Sequence, residues 1–301
     1  MLLRRPRLAA GGGRDLPGPT GETVPLDRPA VSPAPATPAL AAGKGLVCCP
    51  MASTNVAAAA TSGLAAKLPE RWVADGIRLV YPRVEPELAR LADFVPRGGT
   101  AVDVGAWYGP WTARLLRRAD RVVSVEPTPP LARQLRTAFP TVEVVEAAVS
   151  DHDGTAALYL PDGGAIVGTS SLEQPEQGSP VQVRRITLDA LGLTDVRFVK
   201  LDIEGHELPA LRGGAETIRR DRPVLLIEVE ERIQPVEPLL ELLTGWGYRG
   251  YVLPGRTWVP LADFDLGRHQ REAIARVGQS FARRVLWPRP RYVNSVLFRP
   301  E

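Results

Sequence analysis

Residues 199–207 read VKLDIEGHE, with Asp202, Glu204, His206 and Glu207 directly behind an apolar run. Carboxylates and an imidazole at this spacing can take a proton from a hydroxyl, orient one another or ligate a cation. The plainer alternative is a helix start, where acidic side chains cap free N–H groups and match the positive end of the helix dipole. Position bears on the choice. Leu208, Leu211, Ala215 and Ile218 follow at i, i+3, i+7 and i+10, one stripe of a helix over 207–220 that faces a sheet. Pro209 falls in the first turn, where no intrahelical partner is lost. The ionisable cluster therefore occupies the turn between a buried strand and a helix N-terminus. In open α/β sheets that edge, outside the carboxyl ends of the strands, is where ligands bind.

Lys200 stands inside the same apolar strand. Beyond Lys67 it is the one lysine in a region that otherwise writes arginine 29 times. A compact ammonium is therefore selected here, and Glu228, at the end of the following strand, is its expected partner.

The elements that hold these residues are read from alternation. Strand-like runs at 100–105, 121–126, 142–149, 181–188, 196–203, 223–230, 247–253 and 291–298 are separated by helical patterns near 110–119, 129–138, 207–220 and 236–245. Residues 150–180 form a polar, Gly-rich excursion. Strands that are apolar on both faces and alternate with helices predict a doubly wound, mostly parallel sheet. The run at 291–298 follows a connection that is not a simple crossover, so it is expected as a late antiparallel strand near one edge.

The first strand opens into VDVGAWYGPWT, residues 102–112, with the spacing D-x-G-x-x-x-G over Asp103, Gly105 and Gly109. This is not the G-x-G-x-x-G of a dinucleotide fingerprint. Gly105 lets the backbone turn and approach a ligand. The second strand ends at Glu126, 21 residues beyond Gly105 and followed by Pro127. A carboxylate there, at the exposed edge of the sheet, can accept hydrogen bonds from both hydroxyls of a ribose. No basic cradle accompanies the loop, so the expected ligand is a nucleoside without a diphosphate.

VDVGAWYG, VVSVEP, EAAVSDHDG, GTSSL, VRFVKLDIEGHELPALRGG and PVLLIEVE, in that order, resemble the FkbM-type S-adenosylmethionine-dependent methyltransferases over residues 98–250. That family usually has Asn where this chain has Trp107. The resemblance implies the Rossmann-like fold of class I methyltransferases and S-adenosylmethionine (AdoMet) as cofactor. It implies that Asp103, Gly105 and Gly109 shape the AdoMet loop, that Glu126 holds the ribose, and that Ala147 and Ala148 lie near the adenine. It also sets the strand ending at Asp202 beside the strand carrying Gly105, at the methionine end of the cofactor. Asp202, Glu204 and His206 are then the catalytic candidates. His206 would take the proton of an acceptor hydroxyl, and Asp202 would orient it, touch the cofactor or act as the base itself. Mg²⁺ held by these side chains and waters is a secondary reading, and with no second ligand cluster visible no residue is assigned to a metal.

The function expected is O-methylation of a hydroxylated small molecule, such as a sugar or polyketide-like metabolite. Two other classes remain open: a metal-assisted hydrolase using Asp202, Glu204 and His206, and an AdoMet-binding domain without turnover. Composition narrows the partners. Residues 1–66 carry six basic and three acidic side chains, which leaves residues 67–301 electrically balanced and without the excess charge expected of a nucleic-acid binder. Both cysteines, Cys48 and Cys49, lie before the domain, so the domain holds no disulfide framework, in keeping with a reducing cytoplasm. No run is long enough to span a membrane, and no apolar segment of signal-peptide type follows the first arginines.

Residues 1–66 are rich in Ala, Pro and Gly and have no aromatic residue, which predicts a disordered tail with Met51 as a candidate start. Residues 67–301 are expected to form the domain. Within it, 255–290 is an Arg-rich insertion with Trp258 and Trp287, read either as an acceptor-binding segment or as a solvated helix.

Overall fold

The first strand, β1 (Thr100–Val104), sits inside the sheet, and later strands are laid down on both sides of it. This computed structural model describes residues 70–160, 179–277 and 291–301. The expectations for residues 1–66 lie outside the described residues. Two helices come first, α1 (Glu70–Val84) and α2 (Pro86–Ala89). After β1 come α3 (Pro110–Leu115), β2 (Arg121–Val125), α4 (Pro129–Ala138) and β3 (Glu143–Val145). Then follow β4 (Ala148–Val149), β5 (Gly154–Leu160), β6 (Ser179–Ile186), β7 (Val196–Leu201), α5 (Glu207–Arg212), α6 (Ala215–Asp221) and β8 (Val224–Glu228). The described chain ends with α7 (Glu237–Gly245), β9 (Tyr248–Val252), β10 (Val259–Pro260), α8 (Leu266–Val277) and β11 (Ser295–Pro300).

The large sheet has the order β10-β9-β11-β8-β7-β1-β2-β3. Strands β3, β2, β1, β7 and β8 run parallel, and β11 lies antiparallel between β8 and β9. The late strand thus enters between two others rather than adding to an edge. The strand order reverses between β1 and β7, and the chain segments leaving those two strands flank the crevice that results.

Register shows how each face is built. Val102 pairs with Val123 and Val199, and Val199 with Leu225, one apolar row on a face covered by Leu211, Ile218, Leu239 and Leu243 of α5, α6 and α7. One residue earlier, Ala101, Val122 and Phe198 point the other way, beneath Ile77, Tyr81 and Leu88 from the two N-terminal helices and Trp111 of α3. On that second face the next row is polar, with Ser124, Asp103 and Lys200 side by side at the carboxyl ends.

The run at 142–149 is two strands rather than one. Residues 143–145 pair with β2, whereas Ala148 and Val149 leave the main sheet to pair with β6 in a separate three-stranded sheet ordered β4-β6-β5. The helix expected over 207–220 breaks at Gly213-Gly214 into α5 and α6. Its stripe survives the break, with Leu211 and Ile218 fully buried. Among the described residues no helix is long and apolar enough to cross a membrane.

Candidate active site

The loop after β1 and the turn after β7 are locked together by backbone contacts. Gly105 adopts φ +77°, and a Cβ there would overlap the carbonyl oxygen of Asp202. Its glycine is thus required by the neighbouring turn, in addition to any ligand. At Gly109, φ +75°, a Cβ would press on Phe139 and Leu135. Asp103 lies beneath the loop, its Oδ2 accepting from the Thr112 hydroxyl at 2.6 Å, with Ser124 Oγ 2.8 Å beyond. Burial raises the pKa of Asp103, against the opposing pull of Lys200 and the Thr112 hydrogen bonds.

Glu126 is not at an exposed edge. It is 5 % exposed, with Oε2 accepting from the Trp107 N–H and Oε1 from the Thr128 N–H, both at 2.9 Å. The carboxylate therefore clamps the β1 loop to the start of α4. Burial raises its pKa, opposed by those N–H donors. Each carboxylate oxygen accepts more than one hydrogen bond, so the clamp leaves capacity for a ribose hydroxyl.

A cavity opens at the strand-order reversal. Gly105, Ala106 and Trp107 line it from one side, and Asp202, Ile203, Glu204 and His206 from the other. Pro127, Leu131, Ala148, Val149 and Leu158 give it an apolar end. Ala148 is on the wall as expected, whereas Ala147 is buried without lining it. Tyr81 closes the cavity from α1, and Trp111 and Lys200 complete it.

Lys200 pairs with Asp202 at 2.8 Å rather than with Glu228. It is 5 % exposed. Burial disfavours its charge, but Asp202, Asp103 and Glu85 outweigh that and raise its pKa. Asp202 is correspondingly held below the usual carboxylate range: burial opposes ionisation, but Lys200 and a hydrogen bond with Glu228 prevail. Glu228 moves the other way, well above its ordinary range, through burial and then the nearby Asp202, Glu204 and Glu230. Asn294 donates to both Glu228 and Glu230.

Glu204 sits at φ +53°, and burial with Asp202, Glu230 and Glu207 around it pushes its pKa to about 8. The imidazole of His206 meets Ser150 Oγ through Nε2 at 2.9 Å. Glu207, 1 % exposed, faces inward. Its Oε1 accepts from the Ile203 and Gly205 N–H groups, its Oε2 from Gln234, and burial pushes its pKa to about 7. It holds the turn that presents Asp202, Glu204 and His206. Among the described residues, Asp202, Glu204 and Glu228 bring carboxylate oxygens within 4.8 Å of one another, a spacing that could hold a cation. His206 is not in that group.

Sequence reasoning missed α1 and its acidic neighbour. Ala74, Ile77 and Tyr81, at i, i+3 and i+7, carried the signal for a packed helix. Just past the helix, Glu85 accepts from Tyr81 Oη at 2.9 Å and from Trp111 Nε1 at 2.6 Å. Burial and Asp202 push its pKa to about 7 against the pull of Lys200. The Arg-rich segment contributes elsewhere: Gln270 of α8 ties Val229 to Val293, and none of residues 255–277 lines the cavity. Residues 278–290 lie outside the described residues.

Residues 103–249 match the family model described as the methyltransferase FkbM domain, a little under half of the chain. A search of curated proteins returns no match. Among solved structures, the chain is similar to methyltransferase FkbM from Methylobacillus flagellatus KT, with 17 % identity and TM-score 0.41, over 67 % of this chain and 43 % of that one. The chain thus spans less than half the length of that protein. It is also similar to a TehB-like SAM-dependent methyltransferase from Corynebacterium glutamicum, with 14 % identity, TM-score 0.37 and coverage of 76 % and 98 %. A third is a putative methyltransferase of Streptococcus mutans in complex with SAH, with 12 % identity, TM-score 0.35 and coverage of 59 % and 93 %. Scores at this level say nothing about substrate. The segment that matches the FkbM methyltransferase domain family, residues 103–249, contains both the Gly105 loop and the Asp202 turn.

Proposed function

We propose that the chain is an AdoMet-dependent O-methyltransferase acting on a hydroxyl of a small molecule, with the reaction centre between Gly105 and His206. The observation that carries this reading is the single cavity wall formed by the β1 loop and the turn after β7 at the strand-order reversal. Its residues fit the cofactor. The apolar end at Leu131, Ala148 and Leu158 suits adenine, and Asp202 is an ionised acceptor for an ammonium. Glu126 is not on the cavity lining; it stands behind Trp107 and next to Pro127, which are, and its carboxylate has acceptor capacity for a ribose hydroxyl that reaches past them. Bound there, AdoMet would supply an electrophilic methyl group on a sulfonium.

The remaining work falls to the protein: holding an acceptor oxygen in line, excluding water and taking one proton. Asp202, ion-paired and kept ionised by Lys200, is a weak base. Glu204, its pKa pushed up to about 8 by burial and the neighbouring carboxylates, can in its protonated form donate to an acceptor hydroxyl. We assign the proton to His206, which lines the cavity and whose Nε2 lies 2.9 Å from Ser150 Oγ.

The test is methyl transfer from labelled AdoMet to a panel of hydroxylated sugars and polyketide-like acceptors. His206→Ala is expected to lower turnover by about 10²–10⁴-fold with cofactor affinity retained. Equal turnover in the variant would remove His206 from the chemistry.

A further inference from the structure

Trp107 combines an unfavourable backbone with an unsatisfied side chain. Its φ of +50° lies in the left-handed region, where a bulky residue is an outlier. The residue is 8 % exposed, and its indole Nε1–H is closed off from water with no acceptor among the described residues. The ring packs against Tyr81 and Tyr108 at centroid distances of 5.8 and 5.0 Å, contacts a phenylalanine would also make. The Glu126 clamp holds the backbone N–H of residue 107, not the indole. Packing therefore accounts for an aromatic ring here and leaves the N–H unexplained.

Trp107 also lines the cavity that carries Asp202. Other side-chain donors on that wall already have partners: Lys200 donates to Asp202, Tyr81 and Trp111 donate to Glu85, and His206 meets Ser150. The site thus offers one unengaged indole donor beside an ionised acceptor, a pair complementary to the carboxylate and ammonium of an amino-acid group. We infer that Trp107 is a ligand-contacting residue whose indole N–H is completed by the carboxylate oxygen of the cofactor's amino-acid end. This rests on reading the cavity as an AdoMet site. Because the N–H is closed to water and the backbone is clamped, the side chain must turn about its own bonds as the ligand enters.

Calorimetry on the full chain separates this from a structural role, using S-adenosylhomocysteine and 5′-methylthioadenosine, which lacks the amino-acid group. Trp107→Phe is expected to weaken S-adenosylhomocysteine about tenfold and leave 5′-methylthioadenosine unchanged. Without ligand, the variant is expected to remain folded, which a thermal melt checks, the gain from removing a buried unsatisfied donor being opposed by the packing lost with the larger ring. Equal weakening of both ligands, or undiminished S-adenosylhomocysteine affinity, would overturn the inference. A wild-type chain that binds neither ligand would remove the cofactor reading, and this inference with it.

Discussion

Replacing Glu126 with alanine removes the clamp between the β1 loop and α4, and its effect follows from two hydrogen bonds. The carboxylate accepts from the Trp107 and Thr128 N–H groups, each at 2.9 Å, in a position 5 % exposed. Hydrogen bonds to a charged group contribute about 1.5–3 kcal/mol each. The cost of burying the carboxylate, evident in its raised pKa, offsets part of this, leaving a net loss of about 2–3 kcal/mol. For a domain of this size that corresponds to a fall in Tm of about 5–10 °C. Glu126→Gln keeps one oxygen acceptor and presents an amide donor to the other N–H, so it should fall between wild type and alanine. Binding should weaken in parallel, by about 10- to 100-fold for S-adenosylhomocysteine, because ribose contacts and loop geometry are lost together. Thermal melting followed by calorimetry reads both effects. An alanine variant that melts with wild type, or binds as tightly, would refute the clamp or the ribose role respectively.

Glu207→Ala should destabilise the chain by about 3 kcal/mol, since the Ile203 and Gly205 N–H groups and the Gln234 amide lose their buried acceptor; wild-type melting would contradict this. The pH dependence of stability has a definite sign. Glu85, Glu204 and Glu207 have folded-state pKa values near 7, 8 and 7, above the ordinary 4.5, so their contribution is full below about pH 4.5 and is lost as pH rises through 7–8. Tm should therefore fall between pH 5.5 and about 8.5, and a Tm that rises across that window would show these groups are not buried as protons. If proton transfer to His206 suffices, methyl transfer should continue in excess chelator. Loss of turnover restored by Mg²⁺ would instead make Asp202, Glu204 and Glu228 cation ligands.

Apolar strand runs made the turn at 202–206 visible as a strand-to-helix turn of a parallel β/α sheet, whereas its place beside Gly105 followed from the family resemblance, since local spacing does not encode which parallel strands are neighbours. What the sequence hid depends on long-range packing. Lys200 and Asp202, two residues apart at a strand end, share a face and pair with each other, a period-2 relation that outweighs the appeal of Glu228 on the next strand. Glu207 reads as one more exposed helix-start carboxylate, yet it points inward, because two N–H groups of a tight turn need an acceptor there. The split of residues 142–149 between two sheets follows from pairing with β6, more than thirty residues away, which no local pattern encodes. Trp107 at positive φ contradicts local propensity, and such conflicts concentrate at ligand sites.

The most direct test of the central claim is a crystal structure of the chain with S-adenosylhomocysteine. The account predicts the ligand's sulfur between the Gly105 loop and Asp202, the ribose within hydrogen-bond reach of Glu126, and the adenine against Leu131 and Ala148. A ligand bound elsewhere on the chain, or a cavity that excludes it at saturating concentration, would contradict the account.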